Sequence, residues 1–90
     1  MPRGDPDDRL YELIGERIAA ARGHLNLSQA KLALAAGVSR VSIVNIERGR
    51  QRAPMHVLWN IATALKRELT EFIPHHDELS ARLAQPLLSA

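Results

Sequence analysis

Residues 29–48 read QAKLALAAGVSRVSIVNIER, and their apolar pattern predicts two short helices that cross at a tight turn. Apolar residues recur at helical spacing on both sides of Gly37, on faces that would share one core. They are Leu32, Ala36, Val38, Ile43 and Ile46, with the small Ala33 where the helices would touch. Gly37 suits the turn, because a residue without a Cβ atom adopts positive φ at little cost.

Serine and glycine residues mark the ends of these two helices. Ser28 and Ser39 precede them as suitable N-caps, and Gly49 is a natural residue to follow the second helix. Two short helices joined by a tight turn form a helix-turn-helix, whose second helix enters the major groove in proteins that bind DNA. Double-stranded DNA is therefore the partner that this segment predicts.

The composition favours helices and fits a single small domain. The apolar residues of the 90-residue chain are mainly Leu, Ala, Ile and Val, with one Trp, one Tyr and one Phe. The chain has no cysteine, which excludes disulfides and thiolate metal sites. It lacks a run of about 18 apolar residues that could cross a membrane, and its first residues lack the apolar stretch of a signal peptide. A soluble, cytoplasmic protein without membrane contact is the expectation.

Charge is distributed unevenly along the chain. Residues 22–67 carry eight Lys and Arg against one acid, a net charge of +7. Residues 1–21 have a net charge of −2, and residues 68–90 have a net charge of −3. The positive charge thus coincides with the helix-turn-helix and its flanks, as expected for a protein that binds a polyanion.

Apolar residues also recur at helical spacing before the central segment. Residues 9–22 are predicted to form a first helix whose buried stripe consists of Leu10, Ile14, Ile18 and Ala21. Before it, residues 1–8 contain two Pro, one Gly and three Asp, a composition that predicts a disordered arm.

Three further helices are predicted after the central segment. Pro54 fits the first turn of a fourth helix that runs to about Lys66. A short fifth helix, ended by a proline, closes the core with Leu69, Phe72 and Ile73. Residues 77–85 form one more short helix. The chain therefore divides into a helix-turn-helix domain over residues 9–74 and a C-terminal helical extension over residues 75–90.

Four stretches of the chain together resemble a known family. They are IGERIAAAR, LSQAKLALAAGVSRVSIVNIERGR, LWNIATAL and ELTEFIP, which lie in this order from Ile14 to Pro74. The chain is similar over about two thirds of its length to the phage-repressor-like (Xre/Cro-like) helix-turn-helix regulators. The resemblance implies an all-α, five-helix lambda-repressor-like DNA-binding domain, usually dimeric on DNA, that represses or occasionally activates transcription.

The chain departs from the family pattern at two places. Lys31 stands where the family often has Glu, so no capping box is expected at the second helix. Lys66, Arg67 and Glu68 replace the usual Gly-Val turn after the fourth helix.

The outward face of the third helix carries residues that suit contacts with base edges. Arg40 and Asn45 are expected to bind guanine and adenine, and Val41 a thymine methyl group. By resemblance, these three residues match the family's principal base-reading positions. Val44 lies on the same face, where it contacts a base or packs against the sugar-phosphate edge or a neighbouring helix.

Other polar residues around the third helix are expected to contact phosphates. Gln29 opens the second helix, where free backbone N–H groups also favour an anion, and the matching Gln of the family binds phosphate. Ser39 and Ser42 supply hydroxyl groups, and Ser39 is primarily a cap. The remaining phosphate contacts come from the arginines after the helix, which are Arg48, Arg50 and Arg52.

Glu47 is the only acid between residues 22 and 67. Its place before Arg48 and Gly49 resembles the family position that pairs with an arginine at the end of the first helix. The resemblance therefore implies a structural salt bridge between Arg22 and Glu47 that holds the third helix against the first.

The rest of the chain offers a large apolar residue and no catalytic site. Trp59 lies beside the buried stripe of the fourth helix and is expected to be covered, either by the C-terminal extension through Leu79 and Leu83 or by a second subunit. Because adjacent side chains point in different directions, the run from His75 to Asp77 does not predict a metal site. No cofactor is expected.

Two functions are consistent with this pattern. The first is a sequence-specific DNA-binding regulator, a homodimeric repressor that reads an inverted repeat with its third helix in the major groove. The alternative is an antitoxin or other protein-interaction module, whose acidic C-terminal tail binds a protein partner while its DNA binding is autoregulatory. An enzyme is not expected, since the chain supplies neither an activated nucleophile nor a metal site.

Overall fold

The computed structural model describes the backbone of residues 6–83 and the side chains of residues 7–79. The chain forms α1 (Pro6–His24), α2 (Gln29–Ala36), α3 (Arg40–Glu47), α4 (Met55–Ala64), a 3-10 helix (Leu69–Phe72) and α5 (His76–Leu83). Residues 6–83 contain no strand. The prediction of an all-α, five-helix domain with a further short helix is confirmed. None of the helices in this range is long and apolar enough to span a membrane.

The ends of α2 and α3 follow from local sequence. Ser28 Oγ accepts a hydrogen bond from the backbone N–H of Lys31 at 3.1 Å, and Ser39 Oγ accepts one from Ser42 N–H at 3.0 Å. Both serines are the predicted N-caps. Gly37 ends α2 with φ of 75°, a left-handed conformation that glycine adopts without strain.

One apolar core joins all of these elements up to the 3-10 helix. α1 packs against α3 and the 3-10 helix, while α2 packs against α3 and α4. The largest fully buried side chains are Phe72, Ile18, Leu32, Ile43, Ile61 and Leu65. The core therefore holds the helix-turn-helix from behind and leaves the opposite face of α3 outside it.

α1 and the end of α3 approach each other backbone to backbone at Gly15. A Cβ atom on Gly15 would lie 2.3 Å from the carbonyl oxygen of Ile46 and 2.5 Å from that of Glu47. Real Cβ atoms do not come this close to a backbone oxygen, so only glycine fits. The helical spacing of α1 did not reveal this contact, because it depends on how two distant helices cross.

The N-terminal boundary of the domain differs from the prediction. Residues 6–8 were assigned to a disordered arm, but α1 begins at Pro6 and includes them. Proline is favoured in a first helical turn, and the carboxylates of Asp7 and Asp8 stabilise the positive end of the helix dipole. The predicted disorder of residues 1–5 lies outside the described residues.

At two positions after α3 the structure corrects the prediction, and at a third the backbone is unusual for its residue type. Pro54 is the N-cap of α4, with ψ of 156°, rather than its first helical residue. Ile73 lies outside the 3-10 helix in an extended conformation, because the following Pro74 disfavours helical backbone. Lys66 adopts the left-handed conformation, with φ of 58°, where the family usually has glycine.

α5 packs on α1 of the same chain. Arg17 and Glu78 form an ion pair, and the second carboxylate oxygen of Glu78 accepts a hydrogen bond from His75 N–H at 2.9 Å. The His75 N–H lowers the pKa of Glu78 below its usual value, and the charge of Arg17 adds to this. Leu79 and Leu10 line one groove between the two helices.

Candidate nucleic-acid interface

The face of α3 that points away from the core carries both polar and apolar side chains. Ile43 and Ile46 are buried and fix the orientation of the helix. Arg40 is exposed, and the exposed fraction of Val41 is 65%. Val44 and Asn45 are half-buried on the same face, one turn further along the helix. The four residues predicted to contact bases therefore lie together on one accessible face.

A serine and glutamine network holds the first turn of α3. Besides capping the helix, Ser39 Oγ donates a hydrogen bond to Ser42 Oγ at 3.2 Å. Gln51 Nε2 donates to Ser42 Oγ at 3.3 Å, so the loop after α3 contacts the start of the same helix. The sequence analysis missed Gln51, because its contact depends on the path of the loop rather than on any helical spacing.

The carboxylate of Glu47 links α1, α2 and α3. Arg22 Nε donates to Glu47 Oε2 at 2.7 Å, and Arg22 Nη2 donates to Oε1 at 3.1 Å. Gln29 Nε2 donates to Glu47 Oε1 at 3.0 Å. Arg22 Nη1 also donates to the carbonyl of Leu27 at 2.9 Å. The structure thus brings the Arg22 and Glu47 side chains together and adds Gln29 to them.

Burial and charge both favour this three-residue cluster. The side chain of Glu47 is 7% exposed and that of Arg22 is 22% exposed. The hydrogen bond to Glu47 raises the pKa of Arg22 further above its usual value. Gln29, which the sequence predicts to contact a phosphate, lies at the N-terminus of α2, and its amide N–H also donates to Glu47.

The cluster leaves the surface of this region positive. Glu47 is the only acid in residues 22–67, and its carboxylate is buried against Arg22. Arg40, Arg48 and Arg50 are all exposed. Within the described part of the chain, none of these three arginines forms an ion pair. A polyanion near α3 therefore meets cationic side chains without a competing carboxylate between residues 22 and 67.

Arg52 makes contacts that the sequence does not predict. It is predicted to contact a phosphate, as Arg48 and Arg50 are, and in the structure without DNA its guanidinium lies against α1. Its Nη1 is 3.6 Å from Asp7 Oδ2, its Nη2 is 3.5 Å from Asp8 Oδ1, and its Cζ is 5.0 Å from the centroid of the Tyr11 ring. These contacts join residues more than 40 positions apart in the chain, so they depend on the path of the loop and not on a local sequence pattern.

Among the side chains of α5 that the structure describes, none covers Trp59. Its exposed fraction is 64%, and it lines a groove of about 490 Å³ between α4 and the 3-10 helix. Leu79 lines the groove that Leu10 of α1 also lines, and it is not among the residues that line the groove beside Trp59. The side chain of Leu83 lies outside the described part of the chain.

The described residues show no group of three or more His, Asp or Glu side chains that could hold a metal ion. His75, His76 and Asp77 lie at the junction before and within the first turn of α5.

Comparison with known proteins places this arrangement among regulators. A family model described as Helix-turn-helix matches residues 18–72. The restriction-modification controller protein C.AhdI from Aeromonas hydrophila is 30% identical, with a TM-score of 0.68, over 70% of this chain and 96% of that chain. An HTH_3 family transcriptional regulator from Vibrio cholerae is 29% identical, with a TM-score of 0.68, over 73% of this chain and 37% of that chain.

A third similar structure is the clp gene regulator ClgR from C. glutamicum. It is 25% identical, with a TM-score of 0.67, over 70% of this chain and 82% of that chain. No curated protein sequence matches the chain significantly.

Proposed function

The chain belongs to the helix-turn-helix family of DNA-binding regulators, and from this premise we propose that it is a homodimeric transcriptional repressor. It reads an inverted repeat by placing α3 of each subunit in the major groove. The observation that carries the proposal is the accessible face of α3, where Arg40, Val41, Val44 and Asn45 lie together between exposed arginines.

Base recognition is assigned to the four residues of this face. Arg40, at the start of α3, can donate two hydrogen bonds to guanine, and the Asn45 amide can bind adenine in a similar way. Val41 is apolar and 65% exposed, which suits contact with a thymine methyl group better than contact with water. Val44 is half-buried and supports the edge of the same contact surface.

Phosphate contacts are assigned to Arg48 and Arg50, with Gln29, Ser39 and Ser42 at the helix N-termini. A phosphate contact supplies affinity and register but no sequence information. The Gln29 amide, held by Glu47, lies at the N-terminus of α2, where the positive helix dipole also attracts an anion.

The dimer contact is assigned to the groove beside Trp59. A large aromatic side chain that stays 64% exposed in one subunit is well suited to burial against a second copy. A dimer that reads an inverted repeat has to set its two α3 helices about 34 Å apart, the spacing of one turn of DNA.

The described side chains of residues 75–79 favour the regulator over the protein-interaction module. An antitoxin-like tail would offer its leucines to a partner, whereas Leu79 lies beside Leu10 and Glu78 pairs with Arg17 of the same chain. The alternative still makes a distinct prediction. Removal of residues 75–90 would leave DNA binding intact but abolish binding of a toxin partner.

Two arginine variants test the division between base and phosphate contacts. Arg40→Ala is expected to weaken binding to the preferred DNA by about 1–3 kcal/mol and to relax specificity at one base pair. Arg50→Ala is expected to weaken all sequences alike and to lower the slope of log K against log salt by about 0.9. Fluorescence anisotropy with a matched and a scrambled duplex measures both. Equal loss on the two duplexes for Arg40→Ala would contradict its assignment.

A further inference from the structure

The Arg52 guanidinium contacts three side chains from the start of α1. Its two terminal nitrogens lie 3.6 Å from an oxygen of Asp7 and 3.5 Å from an oxygen of Asp8. Its Cζ atom lies 5.0 Å from the centroid of the Tyr11 ring. These contacts join the acidic end of α1 to the basic loop that follows the recognition helix.

The backbone of the loop is held close to α1 at the same place. Gly49 has φ of 73°, and a Cβ atom on it would lie 2.8 Å from Glu12 Cα. Because this approach ties the start of the loop to α1, Arg52 stays within reach of the first α1 turn. Arg50, two residues earlier, is exposed and makes no ion pair within the described part of the chain.

We propose that the acidic first turn of α1 competes with DNA phosphates for Arg52 and thereby lowers the affinity of the protein for DNA. This inference rests on the proposed function and adds a regulatory contact to it. A carboxylate and a phosphate oxygen are both anionic acceptors for a guanidinium. A guanidinium that lies between Asp7 and Asp8 must leave them, at least in part, to reach a phosphate.

The ion pairs of Arg52 with Asp7 and Asp8 are exposed to solvent, which limits their strength. The Arg52 side chain is 52% exposed, and those of Asp7 and Asp8 are 63% and 33% exposed. Ion pairs with such exposure are individually weak in water. The acids therefore lower DNA affinity by withholding the Arg52 phosphate contact, and they leave the rest of the interface open.

Neutralising the two acids tests the competition. We expect D7N/D8N in the full chain to bind a mixed-sequence duplex of about 20 base pairs more tightly, by roughly three- to tenfold at about 0.1 M salt. The slope of log K against log salt should become steeper by about 0.9, the contribution of one added phosphate contact. Fluorescence anisotropy over a salt series measures both quantities.

Two matched variants separate this effect from general charge. Glu16→Gln combined with Asp77→Asn removes the same two negative charges from positions that do not contact Arg52, and should leave the slope unchanged. In an Arg52→Gln background, D7N/D8N should no longer steepen the slope. If the Glu16 and Asp77 variant steepens the slope equally, or if the effect survives in Arg52→Gln, the competition is wrong while the proposed function stands.

The test also needs the stability of the variants and the DNA binding of the wild-type protein. Asp7 and Asp8 also stabilise the start of α1, so thermal melts must accompany the binding curves. If D7N/D8N is unfolded, the single variants D7N and D8N each remove one of the competing carboxylates and should each strengthen binding by about twofold; no gain in either variant would overturn the inference. If the folded wild-type protein binds no duplex at all, the proposed function itself fails, and the inference with it.

Discussion

Gly15→Ala is expected to destabilise the domain by about 3 kcal/mol, because its new methyl group has no space between α1 and α3. The nearest atoms are the carbonyl oxygens of Ile46 and Glu47, at 2.3 and 2.5 Å from the Cβ position. Both belong to the backbone, so no side chain can rotate away, and the two helices must separate. A loss of this size should lower the Tm of such a small domain by more than about 10 °C.

Gly23→Ala provides the matched control in the same helix. A Cβ atom on Gly23 would meet nothing within 4 Å, and its φ is not positive. Alanine is a better helix former than glycine, so this variant should gain up to about 1 kcal/mol. Thermal and urea unfolding followed by circular dichroism measures both variants. A Gly15→Ala protein as stable as Gly23→Ala would show that α1 and α3 do not cross as described.

The second large effect is expected at Glu47. Glu47→Ala removes the acceptor of hydrogen bonds from Arg22 Nε, Arg22 Nη2 and Gln29 Nε2, and leaves the partly buried Arg22 charge without a carboxylate partner. Loss of one member of a fully buried ion pair costs about 3–5 kcal/mol, and partial exposure of Arg22 reduces the expected loss to about 2–3 kcal/mol. Because Glu47 ends α3, DNA affinity should fall as well.

A second variant of Glu47 and a control at another carboxylate show how much stability the Glu47 hydrogen bonds contribute. Glu47→Gln keeps one acceptor oxygen and should lose less stability than Glu47→Ala. Glu16→Ala removes an exposed carboxylate 3.6 Å from Arg9 and should change stability by less than about 0.5 kcal/mol. If urea unfolding finds Glu47→Ala as stable as Glu16→Ala, the cluster of Arg22, Gln29 and Glu47 does not hold the recognition helix.

The parts of the structure that the sequence predicted well depend on neighbours along the chain. Ser28 and Ser39 cap the helices that follow them, and Gly37 turns the chain, because each acts within four residues. The buried positions Ile43 and Ile46 follow from helical periodicity alone. The accessible face of α3 is then the opposite side of the same helix.

The parts that the sequence did not predict depend on which segments meet in space. Gly15 looks like any tolerated helix glycine until α3 crosses it. Arg52 has the cationic side chain expected of a phosphate contact, and the path of the loop also brings it to the acids of α1. Leu79 could have packed on Trp59 by its apolar character, and the direction of the chain after Pro74 brings it to Leu10 instead.

Selection of bound sequences from a random pool of duplex DNA, at about physiological salt, tests the proposed function most directly. The proposed dimeric regulator should enrich an inverted repeat whose half-sites are centred about 34 Å apart. Arg40→Ala should lose one base preference from each half-site, whereas Arg50→Ala should keep the motif and bind it more weakly. Recovery of no motif, with all binding lost as salt is raised, would leave only phosphate contacts and contradict a sequence-specific regulator.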